Sequence, residues 1–149
     1  DLARSRGLGD VYKRQVAALA FGAQGIWMGT RFIATEEARA HQNFKDKIGS
    51  TDINGTIVTR AHSGKPCRLI RNNYTASWEG REDEIMPFPL QGMNHGHPAS
   101  ELGRLQGDVE NGVLPTGQSC GLIDDSPAAG EIVRRVAAEA ETALGNLRA

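Results

Sequence analysis

A chain of 149 residues with net charge −1, 39% hydrophobic and 23% charged residues has the composition of a folded globular protein, not a disordered one. The near-neutral balance excludes a strongly basic, non-specific nucleic-acid binder. The longest apolar run, Val16 to Phe21, is far short of the roughly 20 residues a membrane-spanning helix needs.

Residues 1–15 carry four basic side chains against two acidic ones and little apolar periodicity. Their string GLGDVYKRQ resembles a translated sequencing adapter, so residues 1–15 are set aside as a non-native segment. Val16 to Phe21 reads as the end of a helix, stopped by Gly22. Gly25-Ile26-Trp27-Met28-Gly29 reads as a buried strand. Helix, glycine turn and buried strand together form the αβ step of a parallel sheet. Thr35 is the expected N-cap of the next helix, with Glu36 and Glu37 in its first turn. Ala40, Phe44 and Ile48, spaced by four, give that helix one apolar face.

Thr56 to Thr59 is β-prone, Ser63-Gly64-Lys65-Pro66 is a turn, and Arg68 to Arg71 is a second extended piece. Met86-Pro87-Phe88-Pro89-Leu90 is excluded from a helix interior by its two prolines. Pro98 to Gln106 fits a short helix ended by Gly107. Ser126 as N-cap and Pro127 at the first helical position open a final amphipathic helix. Its apolar stripe is Ile132, Val133, Val136, Ala137, Ala140, Leu144 and Leu147, with Arg134, Arg135, Glu139 and Glu141 mainly opposite.

The chemistry concentrates at Gly29-Thr30. A strand ending in Gly-Thr presents bare backbone N–H groups, a glycine that admits close approach and a hydroxyl donor. In barrels this strand edge is where phosphate is held, although a Gly-Thr pair alone is also a plain turn. His95-Gly96-His97 lacks further ligands and reads as a polar loop, so no metal is expected. His62 reads as a packing or loop residue and His41 as a surface residue. Cys67 and Cys120 read as small buried residues; Cys67 stands beside Arg68 and near Lys65, an arrangement compatible with reactivity. With two cysteines and no charged-then-apolar leader, a reduced, cytoplasmic setting is expected.

The segment AALAFGAQGIWMGTRFIATEEARAH, from Ala17 to His41, resembles the nitronate monooxygenase family, formerly called 2-nitropropane dioxygenases. The resemblance continues through TRAHSGKPCRLIRNNYTASWE, MPFPLQ, GVLPTGQSCGLIDD and AGEIVRRVAAEAETAL, in that order. It implies an α/β fold, the C-terminal part of an FMN-binding TIM barrel with a smaller, mostly helical region. Residues 16–34 are then the last helix–strand step of the barrel. Residues 35–115 form the small region over the barrel mouth, and residues 116–149 carry the barrel-closing helix. A full barrel takes about 250 residues, more than this chain holds.

By the same resemblance Gly29 and Thr30 fall where the family binds the FMN phosphate. Gln118, in Thr116-Gly117-Gln118-Ser119, is placed to donate to a flavin ring oxygen, with a helix cap as the equal alternative. The implied reaction oxidises alkyl nitronates with O2 to a carbonyl compound and nitrite. The implied partners are a small-molecule nitronate and O2, with neither nucleic acid nor membrane. The family's catalytic histidine lies in an Ala-Gly-Gly-His-like motif that this sequence does not contain. No catalytic residue is therefore assigned here, and the isolated chain is expected to be inactive. Two alternatives stand beside this reading. One is a flavin-dependent enoyl-acyl-carrier-protein reductase, against which Gly64-Lys65-Pro66-Cys67-Arg68 argues. The other is a truncated chain without catalytic function.

Overall fold

The computed structural model describes residues 16–18 and 20–146. The non-native segment expected at residues 1–15 lies outside them. Residues 16–18 and 20 are helical, and Gly22 at φ +92° ends the turn. The Phe21 N–H bonds to the Ala17 carbonyl at 3.0 Å and the Ala23 N–H to the Ala18 carbonyl at 3.0 Å. The expected helix end is therefore present.

The strand expected at Gly25 to Gly29 is not found in a ladder. Among the described residues the only sheet is a two-stranded one elsewhere in the chain. Trp27 is 97% exposed, and Ile26 is also exposed. A strand is defined by the neighbours that take its N–H and C=O groups, and here, among the described residues, only the Gly29 carbonyl is taken, by the turn that follows it.

Helix α1 (Thr30–Ile33) is one turn. Helix α2 (Gln42–Ser50) starts later than Thr35, contrary to expectation. His41 caps it, its Nδ1 accepting from the Asn43 N–H at 3.1 Å. Thr35 instead donates its hydroxyl back to the Phe32 carbonyl at 2.9 Å. Glu37 is turned away, its carboxylate accepting from the Ala129 N–H at 2.8 and 3.0 Å. The apolar face is as expected: Phe44 and Ile48 are fully buried and Ala40 packs against them.

Strands β1 (Thr56–Thr59) and β2 (Cys67–Ile70) pair antiparallel, with Thr56 opposite Ile70 and Thr59 opposite Cys67. Gly64 supplies the left-handed turn between them at φ +87°. Helix α3 (Asn73–Ala76) is held by a reciprocal capping box between Asn72 and Thr75. A π-helical turn over Gly92–Gly96 leads into α4 (His97–Arg104). Gly107, at φ +83°, follows α4 where the sequence placed the stop. A 3-10 turn covers Gln118–Leu122.

The last helix, α5 (Ala129–Asn146), begins after Ser126 and Pro127. Glu37 supplies the carboxylate at its start in place of Ser126. Ile132, Val136 and Ala140 are buried, whereas Val133, Ala137 and Leu144 of the expected stripe are exposed. Leu147 lies outside the described residues. Ala34, Phe44, Ile48, Ile70, Leu114, Cys120 and Ile123 form the main core. Ala61, Trp78 and Ile85 form a second cluster. There, Tyr74 Oη and the buried Gln91 Nε2 both donate to the Ala61 carbonyl, at 3.0 and 2.8 Å. Among the described residues no helix is long and apolar enough to cross a membrane.

Candidate cofactor site

Gly29 stands at the start of α1. Phe32 and Ile33 donate to its carbonyl at 3.0 and 3.2 Å, which fixes the turn. A Cβ built on Gly29 meets no atom within 4 Å, so one face of this backbone is open. Thr30 is buried, and its Oγ1 accepts from the Gly117 N–H at 2.7 Å. This bond joins segments 87 residues apart in sequence. It leaves the Thr30 hydroxyl proton free to donate.

The structure thus brings Gly29, Thr30 and the turn carrying Gln118 to one place. The Gln118 side chain itself is exposed, and its Nε2 donates to the Ile53 carbonyl at 3.2 Å. Gly117 begins the 3-10 turn with no side-chain cap.

Arg31 was not singled out from the sequence. It is only 5% exposed. Its Nη2 lies 2.8 Å from Asp125 Oδ1 and donates to the carbonyls of Ala34 and Asp125 at 3.3 and 3.0 Å. Asp125 Oδ2 accepts from Arg135 Nη1 at 2.6 Å, and Arg135 Nε donates to Glu131 at 3.0 Å. Burial by itself raises the Asp125 carboxyl. The hydrogen bond from Arg135 and the charges of Arg31 and Arg135 outweigh it, and the net shift is downward. The chain Arg31–Asp125–Arg135 fastens α5 to the residue that follows Gly29-Thr30. Arg31 and Asp125 are 94 residues apart, and no local spacing signals their pairing. Arg31 Nε and Nη1 and Thr116 Oγ1 are buried without a hydrogen-bond partner. Such orphaned donors are uncommon in native proteins.

The other candidates resolve into structural contacts. His62 is half-buried, with Cys67 Sγ 3.7 Å from its Nδ1 and its ring edge-on to His97 at 6.4 Å. Burial, then the charges of His97 and Arg104, lower its pKa. Burial pushes the thiols of both Cys67 and Cys120 up, away from thiolate. His95 lies edge-on to Trp78 at 5.3 Å, so His95 and His97 serve different neighbours. Among the described residues no group of three or more His, Cys, Asp or Glu side chains is placed to hold a metal. The basic side chains around the hairpin meet separate partners: Arg60 donates to the Glu82 carbonyl, Lys65 sits 4.0 Å over the Phe88 ring, Arg68 donates to Thr56 and Arg71 pairs with Glu79.

The family model described as nitronate monooxygenase matches residues 7–139. A probable nitronate monooxygenase of Staphylococcus saprophyticus is 37% identical over 76 residues, which are 51% of this chain and 21% of that protein. The solved structure of FabK from Thermotoga maritima matches with a TM-score of 0.79 at 32% identity, over 91% of this chain and 43% of that one. Nitroalkane oxidase from Streptomyces ansochromogenes matches with a TM-score of 0.76 at 27% identity, over 91% of this chain and 38% of that one. The chain therefore spans less than half the length of each of these proteins. With a family match covering most of its residues, the chain belongs to the nitronate monooxygenase family.

Proposed function

We propose that this chain is the C-terminal part of an FMN-dependent nitronate monooxygenase that oxidises alkyl nitronates with O2 to a carbonyl compound and nitrite. The observation that carries the reading is the Thr30–Gly117 hydrogen bond, which ties the Gly-Thr turn to the Thr116–Ser119 turn. The residues fit the cofactor because the group they form is rich in donors. Gly29 has an open backbone face, Thr30 retains a hydroxyl proton, and the Thr116 hydroxyl is orphaned. A phosphate and the ring carbonyls of a flavin are acceptors that suit such a set.

When bound, FMN supplies the electron transfer between nitronate and O2. Gly29 and Thr30 would hold its phosphate. Gln118 would reach the ring only by giving up its bond to Ile53. No His, Asp or Glu side chain among the described residues hydrogen-bonds to Gly29, Thr30 or Gly117. In this reading the region binds and orients the cofactor. In the same reading residues 16–34 are the last step of a TIM barrel, residues 35–115 the small region over its mouth, and residues 116–149 the segment with the closing helix. The exposure of Phe21, Ile26 and Trp27 supports this, since an apolar strand is built to be covered on both faces. A FabK-like flavin-dependent enoyl-acyl-carrier-protein reductase is the second reading, favoured by the likeness to FabK.

The test is titration of the 149-residue chain with FMN and with riboflavin, followed by quenching of flavin fluorescence. Saturable FMN binding is expected, with riboflavin about ten-fold weaker for want of the phosphate. Gly29→Trp should abolish binding while leaving the melting temperature unchanged, because its Cβ points into open space. Equal binding of riboflavin, or no binding by a folded chain, would overturn the reading. Nitrite formation by a full-length relative carrying this region, against consumption of reduced nicotinamide, separates the two enzymes.

A further inference from the structure

Two cavities, of about 430 and 270 Å³, share Arg39 and Arg104 as wall residues. The smaller is lined on its other sides by Gly29 and by apolar side chains, among them Phe32, Ile33 and Phe44. The larger adds His97, Ser100 and the carboxylate of Glu101, which leaves the two arginines as the excess charge of its wall. Neither guanidinium forms an ion pair with a described carboxylate. The positive charge is felt nearby, where Arg104 contributes to lowering the pKa of His62.

Ordinary surface arginines are flexible and independent. The segments that carry these two are tied together close to them. The His41 N–H, two residues beyond Arg39, donates to the Arg104 carbonyl at 2.8 Å. Asn43 Nδ2 donates to the Gly107 carbonyl at 3.0 Å. Gly107 is left-handed, and its missing side chain lets the His41 ring pack directly on it. The spacing of the two arginine backbones is therefore fixed before any ligand arrives, which lowers the ordering cost of binding. Two cations carried on backbones of set spacing, at the junction of an apolar and a polar cavity, suit a ligand with the reverse plan, a single anionic head on a short alkyl body.

We propose that Arg39 and Arg104 form a binding site for an amphiphilic monoanion, a carboxylate or phosphate monoester on a short alkyl chain, with the alkyl part directed towards Phe32 and Ile33. The site shares Gly29 with the cofactor reading, but its two arginines do not enter that reading, so the double variant below keeps the two failures distinguishable. Calorimetric titration of the whole chain with octanoate, octyl phosphate, octanol and inorganic phosphate tests it. Octanoate or octyl phosphate should bind at least about ten-fold more tightly than octanol and inorganic phosphate, and the tighter of the two names the head group. The double variant Arg39→Gln, Arg104→Gln should lose that preference with its melting temperature unchanged, since both side chains are exposed. Octanol binding as tightly as octanoate, inorganic phosphate binding as tightly as octyl phosphate, or an unaffected double variant would each overturn the proposal.

Discussion

The stretch from Phe21 to Gly29 and the helix face of Phe44 and Ile48 are both apolar, yet they stand in opposite surroundings. Phe44 and Ile48 are fully enclosed by Ala34, Ile70, Leu114, Cys120 and Ile123. Phe21 is 92% exposed and Trp27 97%. Apolar sequence states what a segment is built to do, but packing requires a partner. The helix face has its partners within the chain, whereas the strand-like stretch has none among the described residues.

The largest test of this contrast is a pair of truncations. Phe44→Ala should lower the unfolding free energy by about 3–5 kcal/mol in chemical denaturation, as expected for a large side chain deleted from a closed core. Trp27→Ala should change it by less than about 0.5 kcal/mol, the range for surface positions. Comparable losses in both variants would mean that the Trp27 stretch is covered in solution.

A second test asks how the opening turn is fastened to α5. Asp125→Asn leaves the buried Arg31 without its counter-charge and should cost about 2 kcal/mol at pH 7, less than a fully buried pair because Asp125 is partly exposed. The Asp125 carboxyl is held below its ordinary value in the folded state. Its contribution is thus fully present above the unfolded carboxylate range near about pH 4 and is lost as pH falls through the lower folded value. The gap between wild type and variant, measured as unfolding free energy against pH, should close in that acidic window. A gap that stays constant down to pH 2 would show that the Asp125 charge does not matter.

A smaller loss than that of Asp125 belongs to Glu37, whose carboxylate meets the Ala129 N–H. Glu37→Ala should cost about 0.5–1 kcal/mol, a usual value for a lost N-terminal contact on an exposed helix end. The loss should appear as fraying at the start of α5 in amide hydrogen exchange, while the region around Phe44 keeps its protection.

These contacts also show what the sequence could disclose. The β1–β2 hairpin was legible because β-prone residues flank a glycine turn. So was α4, because Gly107 marks its end. The start of α2 was misplaced. Thr35 looks like a cap, but its hydroxyl is taken by the Phe32 carbonyl, and His41 does the capping. The acidic pair after it looked like first-turn residues, but Glu37 serves a helix 92 positions away. Within the candidate site, Gly29 and Thr30 could be chosen from local chemistry, and the structure sets them beside Gly117. Gln118 shares the turn but not the direction. Arg31 was missed because its partner Asp125 is near only once the chain has folded.

The unequal fates of the two tryptophans make the molecule its own optical instrument. Trp78 is 9% exposed, against the rings of His95 and Tyr74, and its indole is largely shielded from water. Trp27 is bathed in water, so its emission is expected to lie to the red and to be readily quenched by dissolved iodide. Any surface that covers this stretch, whether another part of a longer chain or a second molecule, should shift that emission to the blue and protect it from the quencher. The spectrum of one side chain would then report whether the exposed face has found its cover, without a label or an activity assay.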